Sequence, residues 1–215
     1  MTAPIVKIER LELGPMDNFV YLAGDAAAGE CFVIDPAWDA AAILEAARRL
    51  GLRVVGAALT HGHFDHSNAL ADLLAQVDAP FYVRPEDSED FSAFRKNLEP
   101  TEDGRELPIG GLRMRCLHTP GHTPGGQCLL LEGNLFTGDT LFVGCCGRTD
   151  LPGSDPAKMC ASLRAIGSLP PETIILPGHH YGKTKSTTVG EQRRTNPYLR
   201  AALSGSPEEA ARFLS

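Results

Sequence analysis

Short hydrophobic runs, each bounded by polar turn residues, recur along the first half of the chain and predict strands mixed with helices. We expect strands over residues 5–13, 18–23, 31–34, 54–59 and 81–83. Asp39 predicts the N-cap of a helix over residues 40–50, which Gly51 ends, and a second helix is expected over residues 68–76. The polar stretch 85–110 predicts a surface loop or a short helix.

The second half repeats this alternation. Strands are expected over residues 112–117, 127–131, 135–137 and 174–176. Asp155 and Pro156 predict an N-cap and a first-turn proline that open a helix to about residue 166, and residues 206–209 form a capping-box pattern for a short final helix. The pattern predicts two sheets packed together with helices outside, in one domain over residues 1–215.

Composition narrows the class of protein. With 215 residues, 43% hydrophobic and 22% charged, the chain is expected to bury a core. Its formal charge of −7 argues against a nucleic-acid partner. No apolar run approaches the ~18 residues of a membrane span, and residues 1–14 lack a signal-peptide pattern, so we expect a cytoplasmic protein with no membrane partner, monomeric or homodimeric. The 6 cysteines form no C-x-x-C pair and are expected to be free thiols.

Candidate metal ligands concentrate in the six residues that follow the strand predicted at 54–59. His61, His63, Asp65 and His66 lie in the sequence H-G-H-F-D-H, and imidazole and carboxylate are ligands that zinc, iron and manganese accept. Residues two apart in an extended segment point to the same side, so His61 and His63 can bind one ion. Asp65 and His66, one turn further on, can reach a second ion.

Three further candidates follow other predicted strands. His122 lies in a glycine-rich loop, Asp139 follows the apolar run 135–137, and His179 follows Pro177 and Gly178. Catalytic and binding residues are commonly carried on loops at strand ends, so these side chains are expected to join the first cluster. His118 and His180 are expected to support the site or to be exposed.

The order of these motifs resembles that of the metallo-β-lactamase superfamily. The resemblance covers nearly the whole chain and implies an α+β fold, the αββα sandwich, in which two mixed sheets carry helices on their outer faces. It also implies a first metal site of His61, His63 and His122, a second of Asp65, His66 and His179, and Asp139 as a bridge between them. Two divalent ions are expected as cofactors, zinc first, with iron and manganese as alternatives because no thiolate is among the ligands.

Such a site implies hydrolysis. Two divalent ions lower the pKa of a shared water from about 15.7 toward about 7, and the resulting hydroxide can attack an acyl or phosphoryl centre. Asp65 is the expected catalytic residue, because its carboxylate can orient the nucleophile and carry a proton to the leaving group. Asp35 is either a support for the ligands or an ordinary turn residue before Pro36.

The surrounding segments indicate a branch of the superfamily. Residues 142–150, 157–163 and 169–173 resemble glyoxalase II, which hydrolyses S-acyl glutathione thioesters such as S-lactoylglutathione, and the length of the chain is similar to that of single-domain bacterial members. Arg148 and Tyr181 match the positions that hold glutathione in that branch. A guanidinium suits the carboxylates of glutathione, although Arg148 can instead form a salt bridge with Asp150 or Asp155.

Other activities remain open. Residues 180–191, together with 147–150, also resemble persulfide dioxygenases, which use one iron and oxidise glutathione persulfide with O2. We favour the hydrolase, because all ligands of the second site are present. An authentic β-lactamase, which would carry a cysteine in the second site, a nucleic-acid-processing enzyme and a non-catalytic metal-binding scaffold are weaker alternatives.

Overall fold

The computed structural model describes residues 3–214, in which hydrophobic strands form two sheets of six strands each. The first sheet has its strands in chain order, with antiparallel pairing from β1 to β3 and parallel pairing from β3 to β6. Its strands are β1 (Val6–Leu13), β2 (Asn18–Asp25), β3 (Glu30–Ile34), β4 (Arg53–Ala58), β5 (Phe81–Val83) and β6 (Leu98–Pro100).

The second sheet also runs in chain order, and β10 and β11 are its only parallel pair among the residues described. Its strands are β7 (Glu106–Ile109), β8 (Leu112–His118), β9 (Gln127–Leu131), β10 (Asn134–Gly138), β11 (Ile174–Pro177) and β12 (Thr187–Thr188). Both sheets are therefore mixed, as expected.

Alternating side chains divide each sheet into an inner and an outer face. In β2, Phe19 and Tyr21 lie in the core between the sheets, whereas Val20 and Leu22 pack in a separate outer cluster with helix residues. A third cluster packs the outer face of the second sheet against helices. The helices are α1 (Ala40–Arg49), α2 (Phe64–Ser67), α3 (Leu70–Gln76), α4 (Pro156–Gly167), α5 (Val189–Thr195), α6 (Pro197–Ser204) and α7 (Pro207–Leu214). The predicted αββα sandwich is confirmed.

The predicted helix starts are confirmed by their capping hydrogen bonds. Asp39 accepts from the Ala42 amide, and Asp155 accepts from the two amides at the start of α4. Ser206 and Glu209 form the predicted capping box, since each side chain accepts from the other residue's backbone amide. No helix within residues 3–214 has the length and apolarity needed to cross a membrane.

The sequence-based assignment was wrong in two regions. Residues 85–110 contain strands β6 and β7 as well as two 3-10 turns, at Pro85–Asp87 and Glu89–Phe94. Strand β6 is short and mostly exposed, so it has no hydrophobic pattern. Helices α5 and α6 were not predicted, although Asn196 before Pro197 carries the N-cap signal already recognised at Asp155.

Gln127, at the start of β9, joins the two sheets directly behind the first cluster of candidate ligands. Its buried side chain donates to the Leu59 carbonyl at 2.7 Å and accepts from Thr101 Oγ1 at 2.8 Å. Its backbone amide donates to the Thr60 carbonyl at 2.8 Å. These bonds fix the end of β4, from which residues 61–66 depart.

Replacing Gln127 by Leu should therefore lower the free energy of unfolding by about 2–4 kcal/mol, because two buried polar groups lose their partners. Urea denaturation measures the change. The matched control is Gln76→Leu at an exposed helix end, where a change within about 0.5 kcal/mol is expected. Equal effects of the two substitutions would contradict the role given to Gln127.

Candidate metal centre

Five segments, each following a strand, bring the candidate ligands together at one edge of the sandwich. Residues 60–63 leave β4, α2 carries Asp65 and His66, and His122 lies in the loop between β8 and β9. Asp139 follows β10 and His179 follows β11. Because the ends of β10 and β11 are neighbours and β2 pairs with residue 179 through an isolated bridge at Asn18, both sheets contribute to the cluster.

The first group consists of His61, His63 and His122. His63 Nδ1 lies 3.1 Å from His61 Nε2 and 3.0 Å from His122 Nε2, and the three ligand atoms lie within 4.8 Å of one another. Zinc–nitrogen bonds of about 2.0–2.1 Å in a tetrahedron place two ligands about 3.3 Å apart. The three imidazoles therefore fit one divalent ion.

The second group consists of Asp65, His66 and His179. His66 Nε2 and His179 Nε2 are 3.1 Å apart, and Asp65 Oδ2 lies 3.3 Å from His179 Nε2 and 3.5 Å from His66 Nε2. This group, too, has its ligand atoms within 4.8 Å of one another. It could hold a second ion.

Asp139 lies between the two groups. Its Oδ2 is 3.5 Å from both His122 Nε2 and His179 Nε2, and its Oδ1 is 3.3 Å from His66 Nε2. Within the described residues, Oδ1 is buried and lacks a hydrogen-bond partner. A buried oxygen without a partner is costly, and an adjacent cation removes that cost, so the geometry fits a bridging carboxylate.

Hydrogen bonds on the outer sides of the imidazole rings set which nitrogen faces the centre. The partners are Thr60 Oγ1 with His61 (3.1 Å), Asp35 Oδ2 with His66 (3.0 Å), the Arg148 carbonyl with His122 (2.9 Å) and the Met16 carbonyl with His179 (2.8 Å). A carbonyl can only accept, so Nδ1 of His122 and of His179 carries the proton. Their Nε2 lone pairs then point inward as ligands require.

Asp35 supports the ligands rather than serving only as a turn residue. Its carboxylate accepts from the Thr60 amide and from Thr60 Oγ1, both at 2.7 Å, in addition to its contact with His66. It is buried and has a positive φ of 53°, a conformation uncommon for a residue with a side chain. One carboxylate thus links the start of the H-x-H segment to a ligand of the second group.

Asn18 is a supporting residue that the sequence analysis missed. Its side-chain amide donates to Asp65 Oδ2 at 2.9 Å and to the Asp65 carbonyl at 3.0 Å. Its Oδ1 accepts from Trp38 Nε1 at 2.8 Å, which fixes the orientation of the amide. An asparagine at the start of a strand reads as a turn residue, and no local pattern distinguishes it.

Two glycines allow the strand ends to approach the centre closely. Gly138 has a φ of +47°, and a Cβ atom there would lie 2.2 Å from Thr60 Oγ1. At Gly178 a Cβ atom would lie 2.7 Å from Asp139 Oδ1. The Gly-Asp and Gly-His pairs therefore need glycine for space, and at residue 138 also for backbone conformation.

Burial and mutual charge hold the candidate ligands in binding-competent states. Burial lowers the pKa of His61 well below its ordinary value, and burial together with His122 lowers that of His63, so both rings are neutral. Burial alone would raise the pKa of Asp139 and of Asp65, but His66 and His179 outweigh it and keep both carboxylates ionised.

The same carboxylates act on the other two rings. Burial opposes protonation, but Asp139 and Asp65 raise the pKa of His179 to about 9, and Asp139 with Asp35 raises that of His66 well above its ordinary value. Two protons therefore supply the positive charge that the carboxylates require. A divalent cation can supply the same charge, with release of those protons.

The predicted substrate-binding residues lie at the mouth of the cluster but differ in availability. Tyr181 is 53% exposed and stacks on His179 with ring centroids 4.5 Å apart. The Arg148 backbone touches His122, but its guanidinium forms a two-point salt bridge with Asp150, at 2.8 and 2.9 Å. The alternative salt bridge to Asp150 is therefore confirmed. Of the other histidines, His118 bonds the Pro124 carbonyl, and His180 bonds Glu12.

Comparison with known proteins adds to this geometry. A family model described as the metallo-beta-lactamase superfamily matches residues 13–179. The chain is 34% identical to the probable polyketide biosynthesis zinc-dependent hydrolase PksB of Bacillus subtilis, over 85% of this chain and 81% of that protein. It is 37% identical to a hydroxyacylglutathione hydrolase of Alkalilimnicola ehrlichii, over 87% of this chain and 71% of that enzyme.

A solved structure agrees with these relatives. ETHE1 from Myxococcus xanthus superposes with a TM-score of 0.86 at 30% identity, covering 97% of this chain and 89% of that one. The matched family span of residues 13–179 includes every candidate ligand from His61 to His179. The αββα sandwich, the converging His and Asp side chains and the family match together show that the chain belongs to the metallo-beta-lactamase superfamily, whose hydrolases bind metal.

Proposed function

We propose that this chain is a dinuclear metal-dependent hydrolase of S-acyl glutathione thioesters. The observation that carries the dinuclear part is the buried Oδ1 of Asp139, which has no hydrogen-bond partner within the described residues and lies between two groups of ligand atoms. The thioester part rests on the similarity to a hydroxyacylglutathione hydrolase, 37% identical, and on the residues at the mouth of the cluster.

When bound, two divalent ions would supply an activated water and an electrophile for the thioester carbonyl. The first ion would be held by His61, His63 and His122, the second by Asp65, His66 and His179, with Asp139 shared. Zinc is the first choice of metal, with iron or manganese as alternatives for these ligands.

Asp65 is the residue we propose for proton transfer. Its side chain is 15% exposed, so it borders the open face of the cluster. The two hydrogen bonds from Asn18 hold the carboxylate in place, and its lowered pKa keeps it ionised and able to accept a proton. That proton can then pass to the departing thiolate.

The side chains around the mouth suit a thioester with an organic acyl group. Phe64 is 73% and Met16 46% exposed, and each adjoins a candidate ligand through the chain or through a backbone hydrogen bond. Tyr181 provides an exposed ring beside His179. Arg148 can bind a glutathione carboxylate by exchanging Asp150, because an exposed ion pair is weakly held.

A second candidate, oxidation of glutathione persulfide by a single iron, is favoured by the similarity to ETHE1 over 97% of this chain. Metal content measured together with both activities separates the two. We expect close to two metal ions per chain and turnover of S-lactoylglutathione. One iron per chain, with O2 uptake on glutathione persulfide and no thioester cleavage, would replace the hydrolase by the dioxygenase.

Asp139→Ala should remove activity and metal together, because the shared carboxylate serves both groups. We expect kcat/KM to fall by about a thousandfold or more, as for loss of a central catalytic group, and metal content to fall below one ion per chain. Asp72→Ala, at an exposed position of α3, is the control and should retain both. Full metal content in Asp139→Ala would argue against the bridge.

Arg148→Ala should raise KM for glutathione thioesters about tenfold with kcat and metal content unchanged, because only ground-state contacts to a carboxylate are lost. The matched control is Arg48→Ala, which removes a similar exposed two-point pair with Glu45 on α1. An N-acetylcysteamine thioester, which has no carboxylate, should be hydrolysed equally by wild type and Arg148→Ala. An unchanged KM for the glutathione substrate would remove Arg148 from the binding site.

A further inference from the structure

Asp87 joins two loops through a single carboxylate. It ends the 3-10 turn Pro85–Asp87 that follows β5, in the region where the sequence predicted only a loop or short helix. Its Oδ2 accepts from the Gly62 amide at 3.0 Å and from Thr123 Oγ1 at 2.6 Å, and its Oδ1 accepts from the Gly125 amide at 2.7 Å. Both oxygens are therefore engaged.

The donors are the immediate neighbours of the first ligand group. Gly62 lies between His61 and His63, and Thr123 follows His122. The segment with Gly62 leaves the first sheet, whereas Thr123 and Gly125 lie in the β8–β9 loop of the second sheet. Asp87 thus spans the gap that the first ion would have to span.

Packing against Asp87 also accounts for the residue types at two loop positions. A Cβ atom on Gly62 would lie 2.9 Å from the Asp87 carbonyl oxygen, and one on Gly125 would lie 2.6 Å from Asp87 Cγ and Oδ1. Real Cβ atoms do not approach so closely. The glycine inside the H-G-H sequence is thus explained by contact with Asp87.

We propose that Asp87 is a positioning residue for the first ligand group, setting the separation between His63 and His122. The inference rests on the proposed metal centre but not on the choice of substrate. Residues that orient metal ligands through hydrogen bonds typically change metal affinity 10–100-fold when altered. The second group is held by other residues, namely Asn18, Asp35 and the Met16 carbonyl, so the effect should be selective.

Asp25 offers a matched control. Its carboxylate also accepts three hydrogen bonds, from the amides of Ile5, Ala27 and Gly111 at 2.9, 2.9 and 3.0 Å. It joins loops of both sheets at the far end of β2, and the strand rise of about 3.3 Å per residue puts it roughly 23 Å from Asn18. Loss of Asp25 therefore tests general loosening of the sandwich without touching the ligand loops.

The experiment compares wild type, Asp87→Asn and Asp25→Asn as metal-free and cobalt-loaded proteins. Dissociation constants for both ions come from chelator competition, and the hyperfine-shifted imidazole N–H resonances assign each ion to a group. We expect Asp87→Asn to weaken the ion of His61, His63 and His122 about tenfold or more, with less than about threefold change at the other. Asp25→Asn should leave both constants unchanged, even if it lowers the Tm of the metal-free protein.

A second variant keeps the test decisive should Asp87→Asn fold poorly. Thr123→Val retains the carboxylate and the side-chain shape but removes one donor, and it should weaken the same ion by about threefold. Unchanged affinities in both variants, or equal losses at both ions, would reduce Asp87 to a structural role. Failure of the wild-type protein to bind any cobalt would overturn the proposed metal centre itself.

Discussion

The need of Asp139 for a positive charge is the constraint on which the centre depends. A carboxylate buried at the joint edge of two sheets is unfavourable unless charge and hydrogen bonds compensate it, and its Oδ1 lacks a hydrogen bond within residues 3–214. Protons on His66 and His179 supply part of that charge, as their raised pKa values show. The strand ends carrying these residues are held close together despite the electrostatic cost, which is the arrangement expected of a site built around cations.

The two sheets support this centre jointly. The Met16 carbonyl, at the first hairpin of the first sheet, orients His179 of the second sheet, and the Phe19 amide donates to the Gly178 carbonyl at 2.8 Å. Since each ring is fixed from behind by backbone or buried side chains, the centre is independent of the residues at its mouth. Phe64 and Tyr181 can therefore differ between relatives while the ligands stay the same, which is consistent with the different activities named for relatives sharing the fold.

The ligand residues could be predicted because each follows a recognisable strand and because four of them share the sequence 61–66. The layer order followed from the alternation of strands and capped helices. Asn18 and Asp87 could not be predicted, since their partners are 47 and 25 or more residues away and depend on how the sheets pack. The side-chain partner of Arg148 was left open by its sequence, because Asp150 and Asp155 are equally acidic neighbours, and only the loop geometry selects Asp150.

The choice between one ion and two depends on the same oxygen of Asp139. In a one-ion centre, Asp65, His66 and His179 would satisfy one another through hydrogen bonds, and their separations of 3.1–3.5 Å allow this. Such bonding accounts for Asp139 Oδ2, which lies near His122 and His179, but it leaves Oδ1 facing His66 Nε2 at 3.3 Å without a hydrogen bond. An ion held by the second group would lie on that side of the carboxylate. The unsatisfied oxygen is therefore on the side that a hydrolase would fill and a single-iron oxygenase would leave open, which is why we favour the hydrolase.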